Sequence, residues 1–448
     1  MTTSPKNQTP VDSPGPAHQS PPGTLLRTKT IRARQWWSSG RIRHVRGIPG
    51  LVGAYVITRA LLILIPLGVM VYPDGVTLSR DTHFYWTWSE VILAGHYPVA
   101  DPMWQYPPLA GFVFVIGASL ASDPSLGFII LALLADLVIF GWLIARARTV
   151  GSLVSPWAYV IGAIAVGPVF LTRFDIFPTL FAVAALLSLS RPVRAGFMLG
   201  VGALLKVWPA FLLVSLPRKK IPAALAGFLA IAISTSVLLA SWGPGSGSFL
   251  SEQGERGLQI ESVGGVPYVI ANALGYDMTT ISRYGSLEID ATGAGLAATI
   301  VALSGFVVMA VVGFARLWGR LEHIAGADVA LAIVLISIAS SRVFSPQYMV
   351  WVVGIAAVCL LDPKTRMRPI IWLCLAAAIS GQLVYPFLYG DMINGGIIGV
   401  TFQSARIGFL LAATIWAIIR IFQPGDPVEE LPDLDRALGN KVGVYPGK

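Results

Sequence analysis

The chain has 448 residues, of which 55% are hydrophobic and only 12% are charged. A soluble globular domain carries roughly a quarter of charged residues, so this composition excludes a water-soluble enzyme of two or three domains. Apolar runs of about 20 residues, the length of a helix that crosses a bilayer, recur along most of the chain. The sequence therefore predicts an all-α fold, a polytopic bundle of transmembrane helices.

The net charge of +9 is concentrated near the N terminus, where residues 1–48 hold eight Lys and Arg against one acid, Asp12. A basic segment before the first apolar run favours a cytoplasmic N terminus and contact with anionic lipid headgroups rather than nucleic acid. We expect a disordered basic tail over 1–48, a transmembrane domain over 49–421 and a cytoplasmic tail over 422–448.

Ten membrane spans are predicted from the apolar runs. They lie at about 50–72, 124–146, 152–171, 174–190, 221–242, 294–315, 325–343, 346–361, 369–388 and 399–421. Basic residues then fall on alternate loops, which puts both termini in the cytoplasm of a multi-pass plasma-membrane protein. Residues 107–121 are interpreted as a re-entrant or membrane-surface helix. Residues 195–216 are interpreted as a hairpin broken at Trp208-Pro209, which raises the count to twelve if it is counted as two spans.

The sequence predicts neither a metal nor a cofactor. The two cysteines, Cys359 and Cys374, lie inside apolar runs, and this placement offers no disulfide framework and no metal-ligand spacing. No nucleotide-binding fingerprint is present either.

Two long outer loops, at about 73–106 and 243–293, hold most of the polar chemistry, and long connections in compact proteins usually serve function. The first contains Asp81, His83, Tyr85, Asp101, Gln105 and Tyr106. Its aromatic residues suit either the interfacial belt of a membrane protein or a platform for sugar rings. Asp81 is a candidate catalytic group, because carboxylates near a membrane surface are usually functional, with helix capping of 82–94 as the alternative.

Six short motifs follow one another along the chain. They are Asp81-Thr82-His83-Phe84-Tyr85, Tyr106-Pro107-Pro108-Leu109, Arg173-Phe174-Asp175, Leu205-Lys206-Val207-Trp208-Pro209, Arg256-Gly257-Leu258-Gln259-Ile260-Glu261-Ser262 and Phe344-Ser345-Pro346-Gln347-Tyr348. In this order they resemble the GT-C glycosyltransferases, and more narrowly the actinobacterial family known as DUF2029 or glycosyltransferase family 87. The resemblance covers roughly residues 50–420.

The resemblance implies an integral membrane enzyme that transfers a sugar, usually mannose, from a polyprenyl phosphate to a lipid-linked glycan outside the cytoplasmic membrane. Arabinofuranose is the second choice of sugar. It also implies that Asp81 is the catalytic base, with Asp101 a weaker match, and that the anomeric carbon is inverted. A covalent route stays open if Asp101 or Asp175 lies across the anomeric carbon from Asp81.

Several cations suit the donor phosphate, because Arg offers a planar fork to phosphate oxygens. Arg256 and Arg342 are the first choices, and Arg173 is a further candidate. Lys206 either holds a phosphate or pairs with a carboxylate such as Asp136.

The remaining candidates are polar residues at the outer ends of spans. Gln259, Glu261, Gln347 and Tyr348 suit hydrogen bonds to sugar hydroxyls, with helix capping and inter-helix bonding as the alternative. His83 would lie about 200° around a helix from Asp81 and need not share its role.

A transporter or lipid flippase is the main alternative from another functional class, since many spans with intramembrane charges describe those proteins too. A non-catalytic scaffold is a third. The polar residues gather in two outer loops rather than at the midplane, and this favours surface chemistry.

Overall fold

The computed structural model describes residues 47–72, 78–242, 245, 247 and 256–424. Nearly all of the predicted tails, 1–48 and 422–448, therefore lie outside the described residues. In chain order the helices are α1 Gly47–Leu64, α2 Arg80–Leu93, α3 Leu109–Leu120, α4 Pro124–Val150, α5 Val154–Val166, α6 Val169–Thr172, α7 Ile176–Leu186, α8 Pro192–Leu205, α9 Ile221–Trp242, α10 Val266–Ala273, α11 Ala294–Leu317, α12 Gly326–Ala339, α13 Tyr348–Cys359, α14 Arg368–Gln382, α15 Tyr389–Ile393 and α16 Ile397–Phe422.

Six apolar helical segments are long enough to cross a membrane, and they establish a multi-pass, all-α bundle as predicted. They are Gly47–Leu64, Pro124–Val150, Arg218–Ser241, Ala294–Leu317, Arg368–Ile393 and Ile397–Phe422. Only 17% to 44% of the residues in their apolar windows are buried inside the protein. The remaining apolar side chains face outward, as expected of helices that contact lipid.

Six further apolar helices, α3, α5, α7, α8, α12 and α13, have only 10–17 residues each. The prediction of full-length spans at 152–171, 174–190, 325–343 and 346–361 is therefore wrong, because such helices are shorter than a straight crossing of about 30 Å requires. α5, for example, ends at Val166, and the next residue, Gly167, has φ +78° and precedes a proline. Most residues of α12 and nearly all of α13 are buried, so these two short helices lie at the centre of the bundle.

The predicted broken hairpin is present, with its break slightly earlier than expected. α8 ends at Leu205, Lys206 is extended, and a 3-10 helix runs over Trp208–Ser215. The break therefore lies at Lys206, and Pro209 stands in the first turn of the 3-10 helix, where its missing N–H is tolerated. Gly326 packs against both Leu189 and Ser215, so the hairpin returns to the end where it began.

The two long loops contain regular structure. α2 lies in the first, and the predicted short helix at 107–121 is α3. The second loop holds α10 and one antiparallel hairpin, β1 Thr279–Arg283 and β2 Ser286–Asp290, paired from Thr279↔Asp290 to Arg283↔Ser286. Tyr284 and Gly285 both have positive φ, which matches the tight turns that suit the twist of paired strands.

Several basic loops meet at one end of the bundle, here named the basic end (residues 215–220, 316–325, 364–368 and 420–424). Arg316 donates to the Ser215 carbonyl at 2.9 Å, and the Arg218 backbone donates to Glu322 at 2.9 Å. The Arg366 guanidinium and the His323 ring both contact the Gln423 carbonyl, at 2.6 and 3.0 Å. The segments discussed next lie at the opposite end of the helices.

Candidate functional site

Asp81 lies in the first turn of α2, which begins at Arg80 after Ser79. The alternative that Asp81 caps this helix is therefore wrong. Thr82 fixes the turn, since its hydroxyl donates to the Ser79 carbonyl at 2.6 Å and lies 2.8 Å from the Ser125 hydroxyl at the start of α4. The Asp81 carboxylate forms an ion pair with Arg173, and the two side chains are 30% and 10% exposed.

Arg173, Phe174 and Asp175 form the short connection between α6 and α7. Asp175 is almost fully buried, and its carboxylate accepts from Lys206 Nζ at 2.7 Å and from Trp351 Nε1 at 2.6 Å. Lys206 is available for this contact because α8 ends just before it and leaves its backbone extended.

Lys206 is also held by aromatic rings. Its ammonium lies 5.0 Å from the Tyr348 ring and 5.1 Å from the Trp351 ring, and these rings stack at 4.3 Å. Pairing with a carboxylate, one of the two predicted alternatives, is therefore present, but the partner is Asp175 and not Asp136. Asp136 is instead bound by Arg59, Tyr55 and Tyr159 inside the bundle.

Aromatic residues pack behind these charges. Tyr85 stacks on Phe114 at 4.5 Å, and its hydroxyl lies 3.4 Å from that of Tyr106. Tyr106 in turn meets the Phe174 ring edge-on at 5.2 Å. Burial raises the pKa of both tyrosines, so their hydroxyls stay protonated at neutral pH. Tyr85 and Tyr106 thus support the Arg173–Asp175 connection from behind.

The second long loop is joined to the segment before α13 by backbone contacts. The Gln259 amide donates to the Arg342 carbonyl at 3.0 Å, and its side-chain oxygen accepts from the Phe344 amide at 2.7 Å. Arg342 donates to the Arg256 carbonyl at 3.1 Å, and Arg256 donates to the Tyr284 carbonyl at 3.3 Å. Gln259, Arg256 and Arg342 therefore fasten the loop and hairpin together.

Glu261 anchors the same loop to the last helix. It forms a 2.7 Å ion pair with Arg406, whose guanidinium lies 4.0 Å from the centre of the Phe344 ring. The Gln403 side-chain amide donates to the Glu261 backbone carbonyl at 2.9 Å. Burial raises the pKa of the Glu261 carboxyl, and Arg406 opposes that effect.

Four other predicted site residues do not contact Asp81, Arg173, Asp175 or Lys206 in any described hydrogen bond or ion pair. His83 is exposed and bonded to the Ser79 carbonyl at 2.8 Å. Asp101 accepts from Trp88 Nε1 at 2.7 Å and from the Met103 amide at 2.9 Å, which makes it a brace of the first loop. Gln105 is buried and donates to the Pro102 carbonyl at 3.3 Å. Gln347 is half-buried at the residue before α13.

Three contributors were missed by the sequence analysis: Trp351, Arg406 and Tyr385. Tyr385 interacts with the Arg173 guanidinium from the kink that follows α14. Arg406 carried a usable signal, because a charge inside a predicted span is a candidate functional residue. Trp351 and Tyr385 carried none, since aromatic residues are common in any membrane helix.

The charges that meet here alternate in sign: Asp81, Arg173, Asp175 and Lys206, here named the ion chain. The inner members, Arg173 and Asp175, are buried, whereas Asp81 and Lys206 keep 30% and 22% of their side chains exposed. The chain thus presents a carboxylate at one end and an ammonium at the other. Such a pair suits a reaction in which a proton leaves one group and negative charge develops on another. Among the described residues, no three His, Cys, Asp or Glu side chains are grouped to hold a metal ion.

Comparison with known proteins gives one family. A model of glycosyltransferase family 87 matches residues 104–346, which is more than half of the chain. The match includes Arg173, Asp175, Lys206 and the second long loop, and it begins after Asp81. No curated protein and no solved structure matches the chain. The chain belongs to glycosyltransferase family 87, and it is a glycosyltransferase built on a multi-pass membrane bundle.

Proposed function

We propose that the protein transfers a hexose, mannose in the first instance, from a polyprenyl phosphate to a lipid-linked glycan of the cell envelope. Asp81 is the general base in this proposal. The observation that carries it is the position of Asp81 at the open end of the ion chain, partly exposed and in contact with a buried cation. A membrane bundle suits a lipid-linked donor, because the reacting groups then meet at the membrane surface.

The reaction needs one proton acceptor and one electron-pair acceptor. Asp81 takes the proton of the acceptor hydroxyl as that oxygen bonds to the anomeric carbon. The bond from that carbon to the phosphate oxygen breaks, and the electron pair leaves with polyprenyl phosphate. Asp175 is occupied by Lys206 and Trp351, and Asp101 by Trp88. These contacts favour a single displacement with inversion over a covalent route through a second carboxylate.

The phosphate is assigned to Lys206 and Arg173. Arg256 and Arg342, the first choices from sequence, donate to backbone carbonyls and hold the loop in place. Lys206 keeps an exposed fraction and lies at the positive end of the ion chain. Charge-assisted contacts of this kind are the stronger hydrogen bonds to phosphate oxygens. Tyr348 and Gln347 remain the candidates for sugar hydroxyls, whereas Gln259 is buried and bonded to Phe344.

We further propose that the ion chain faces the extracytoplasmic side of the plasma membrane, with both termini in the cytoplasm. Support comes from the basic end, where Arg218, Lys219, Lys364 and Arg366 gather away from Asp81. Cytoplasmic loops of membrane proteins carry an excess of Lys and Arg.

The test is transfer by purified protein from labelled polyprenyl-phosphate mannose to a membrane lipid extract. Asp81→Asn should lower the transfer rate by about 10²–10⁴, the contribution of a general base, while donor binding persists. Asp123→Asn is the matched control, because Asp123 only caps α4 through the Leu126 amide at 2.7 Å. Full activity of Asp81→Asn would refute the role of Asp81. Transfer from another lipid-linked sugar but not from mannose would change the donor and keep the reaction class.

A further inference from the structure

Arg173 covers one side of the proposed base. Its guanidinium contacts the Asp81 carboxylate, which keeps its other side exposed. An ion-paired carboxylate is held in its charged form, but one of its oxygens is already occupied. The free oxygen can still accept an incoming hydroxyl, but the contact with Arg173 makes the carboxylate a weaker base.

Arg173 also has more than one acidic or polar neighbour. Asp175 follows it after one residue, and the Tyr385 side chain interacts with the same guanidinium. A guanidinium has five N–H donors in a rigid fork, so it serves two anions at once. An anion that arrives from the membrane side would change how these donors are divided.

In the proposed function that anion is the donor phosphate, which binds at Lys206. Lys206 is joined to Asp175 at 2.7 Å, and Asp175 stands two residues from Arg173. A phosphate at Lys206 would thus lie near the second partner of Arg173 and compete with Asp81 for its donors. A ligand shifts an arrangement only through contacts that differ between the two states, and the Arg173–phosphate contact is such a difference.

We propose that Arg173 is a positioning residue divided between the base and the donor phosphate. Without donor it is held on Asp81; with donor bound it turns to the phosphate, so Asp81 is released for the acceptor hydroxyl. Asp81 thereby reaches its full basicity only when the donor is bound. This inference rests on the proposed transfer reaction and adds an order to it, donor before acceptor.

The experiment compares the acid limbs of two pH–rate profiles. The profile of kcat/KM for donor reports the free enzyme, and the profile of kcat reports the substrate-bound complex. In the wild-type protein we expect the kcat limb at higher pH than the kcat/KM limb, because Asp81 has lost its cation in the complex. A nearby opposite charge lowers a carboxyl pKa by about 1–3 units, which sets the expected separation. Coincident limbs in the wild-type protein would overturn the inference.

Variants of Arg173 test whether this residue causes the separation between the two acid limbs. In Arg173→Gln the two limbs should coincide at the higher pH, because Asp81 then lacks its cation both with and without donor. Arg173→Lys keeps the charge and loses the fork, so its limbs should stay apart, and it serves if Arg173→Gln fails to fold. Arg148→Gln is the control: it removes an exposed Arg in the last turn of α4, at the opposite end of that helix from Ser125. A separation that persists in Arg173→Gln would also overturn the inference. Absence of any transfer by the wild-type protein would instead refute the proposed function.

Discussion

The Lys206 ammonium is held by its neighbours in a position where it can bind a phosphate. One carboxylate and two aromatic rings fix its ammonium, and part of it stays open. Charge-assisted hydrogen bonds contribute about 1.5–3 kcal/mol, so Lys206→Gln should raise the donor KM about tenfold or more. Steady-state kinetics over a range of donor concentrations would measure this KM. Lys219→Gln, an exposed lysine at the basic end, should leave KM unchanged. An unchanged KM in Lys206→Gln would remove Lys206 from the phosphate site.

The residues of the ion chain could be predicted from sequence, whereas their pairing could not. Asp81, Arg173, Asp175 and Lys206 all lie in motifs that resemble the family. Which acid binds Lys206 depends on which helices meet in space, and Asp136 is already taken by Arg59 on α1. Likewise, nothing along the chain indicates that Arg256 and Arg342 bond to backbone carbonyls.

At the scale of elements, α1 depends on one buried cluster. Only 22% of its residues are buried, so apolar packing holds it weakly. Arg59 donates to both Asp136 oxygens at 2.9 Å, and the hydroxyls of Tyr55 and Tyr159 donate to them at 2.7 and 2.8 Å. This cluster fastens α1 to α4 and α5.

Removing either Arg59 or Asp136 alone should destabilise the protein, whereas replacing both by apolar residues should cost much less stability. Removing one partner of a buried ion pair costs about 3–5 kcal/mol, whereas replacing both by apolar groups is often neutral. Arg59→Met and Asp136→Leu should each lower the melting temperature in detergent, and the double variant should recover much of the loss. Thermal unfolding followed by tryptophan fluorescence would measure this. A double variant as unstable as the sum of the single variants would show that the two side chains act independently.

The long helices could be predicted, and the lengths of the central helices could not. Hydropathy averages over a window, so an apolar run continues through a break that the backbone makes. Residues 152–171 form one such run, which Gly167 and Pro168 divide into α5 and α6. The β-hairpin was also unexpected, because its ten strand residues lie within a long polar loop.

The whole molecule has two ends of different chemistry. At one end the loops are basic and bonded to each other through Arg316, Arg366 and His323. At the other end acids and bases pair within the ion chain and between Glu261 and Arg406. Excess positive charge is retained on the cytoplasmic side of a membrane, whereas balanced pairs carry little preference. This distribution of charge supports the proposed orientation, with the basic end in the cytoplasm.

Single cysteines would test that orientation in intact cells. The native Cys359 and Cys374 are buried, so they should react poorly with a maleimide that cannot cross the membrane. Tyr276→Cys, at a side chain that is 70% exposed near the β-hairpin, should be labelled from outside. Lys364→Cys, at an exposed position of the basic end, should be labelled only after the cells are permeabilised. Transfer activity would confirm that each variant is folded. Labelling of Lys364→Cys from outside would reverse the orientation, and it would place Asp81 on the side where cytoplasmic donors are made.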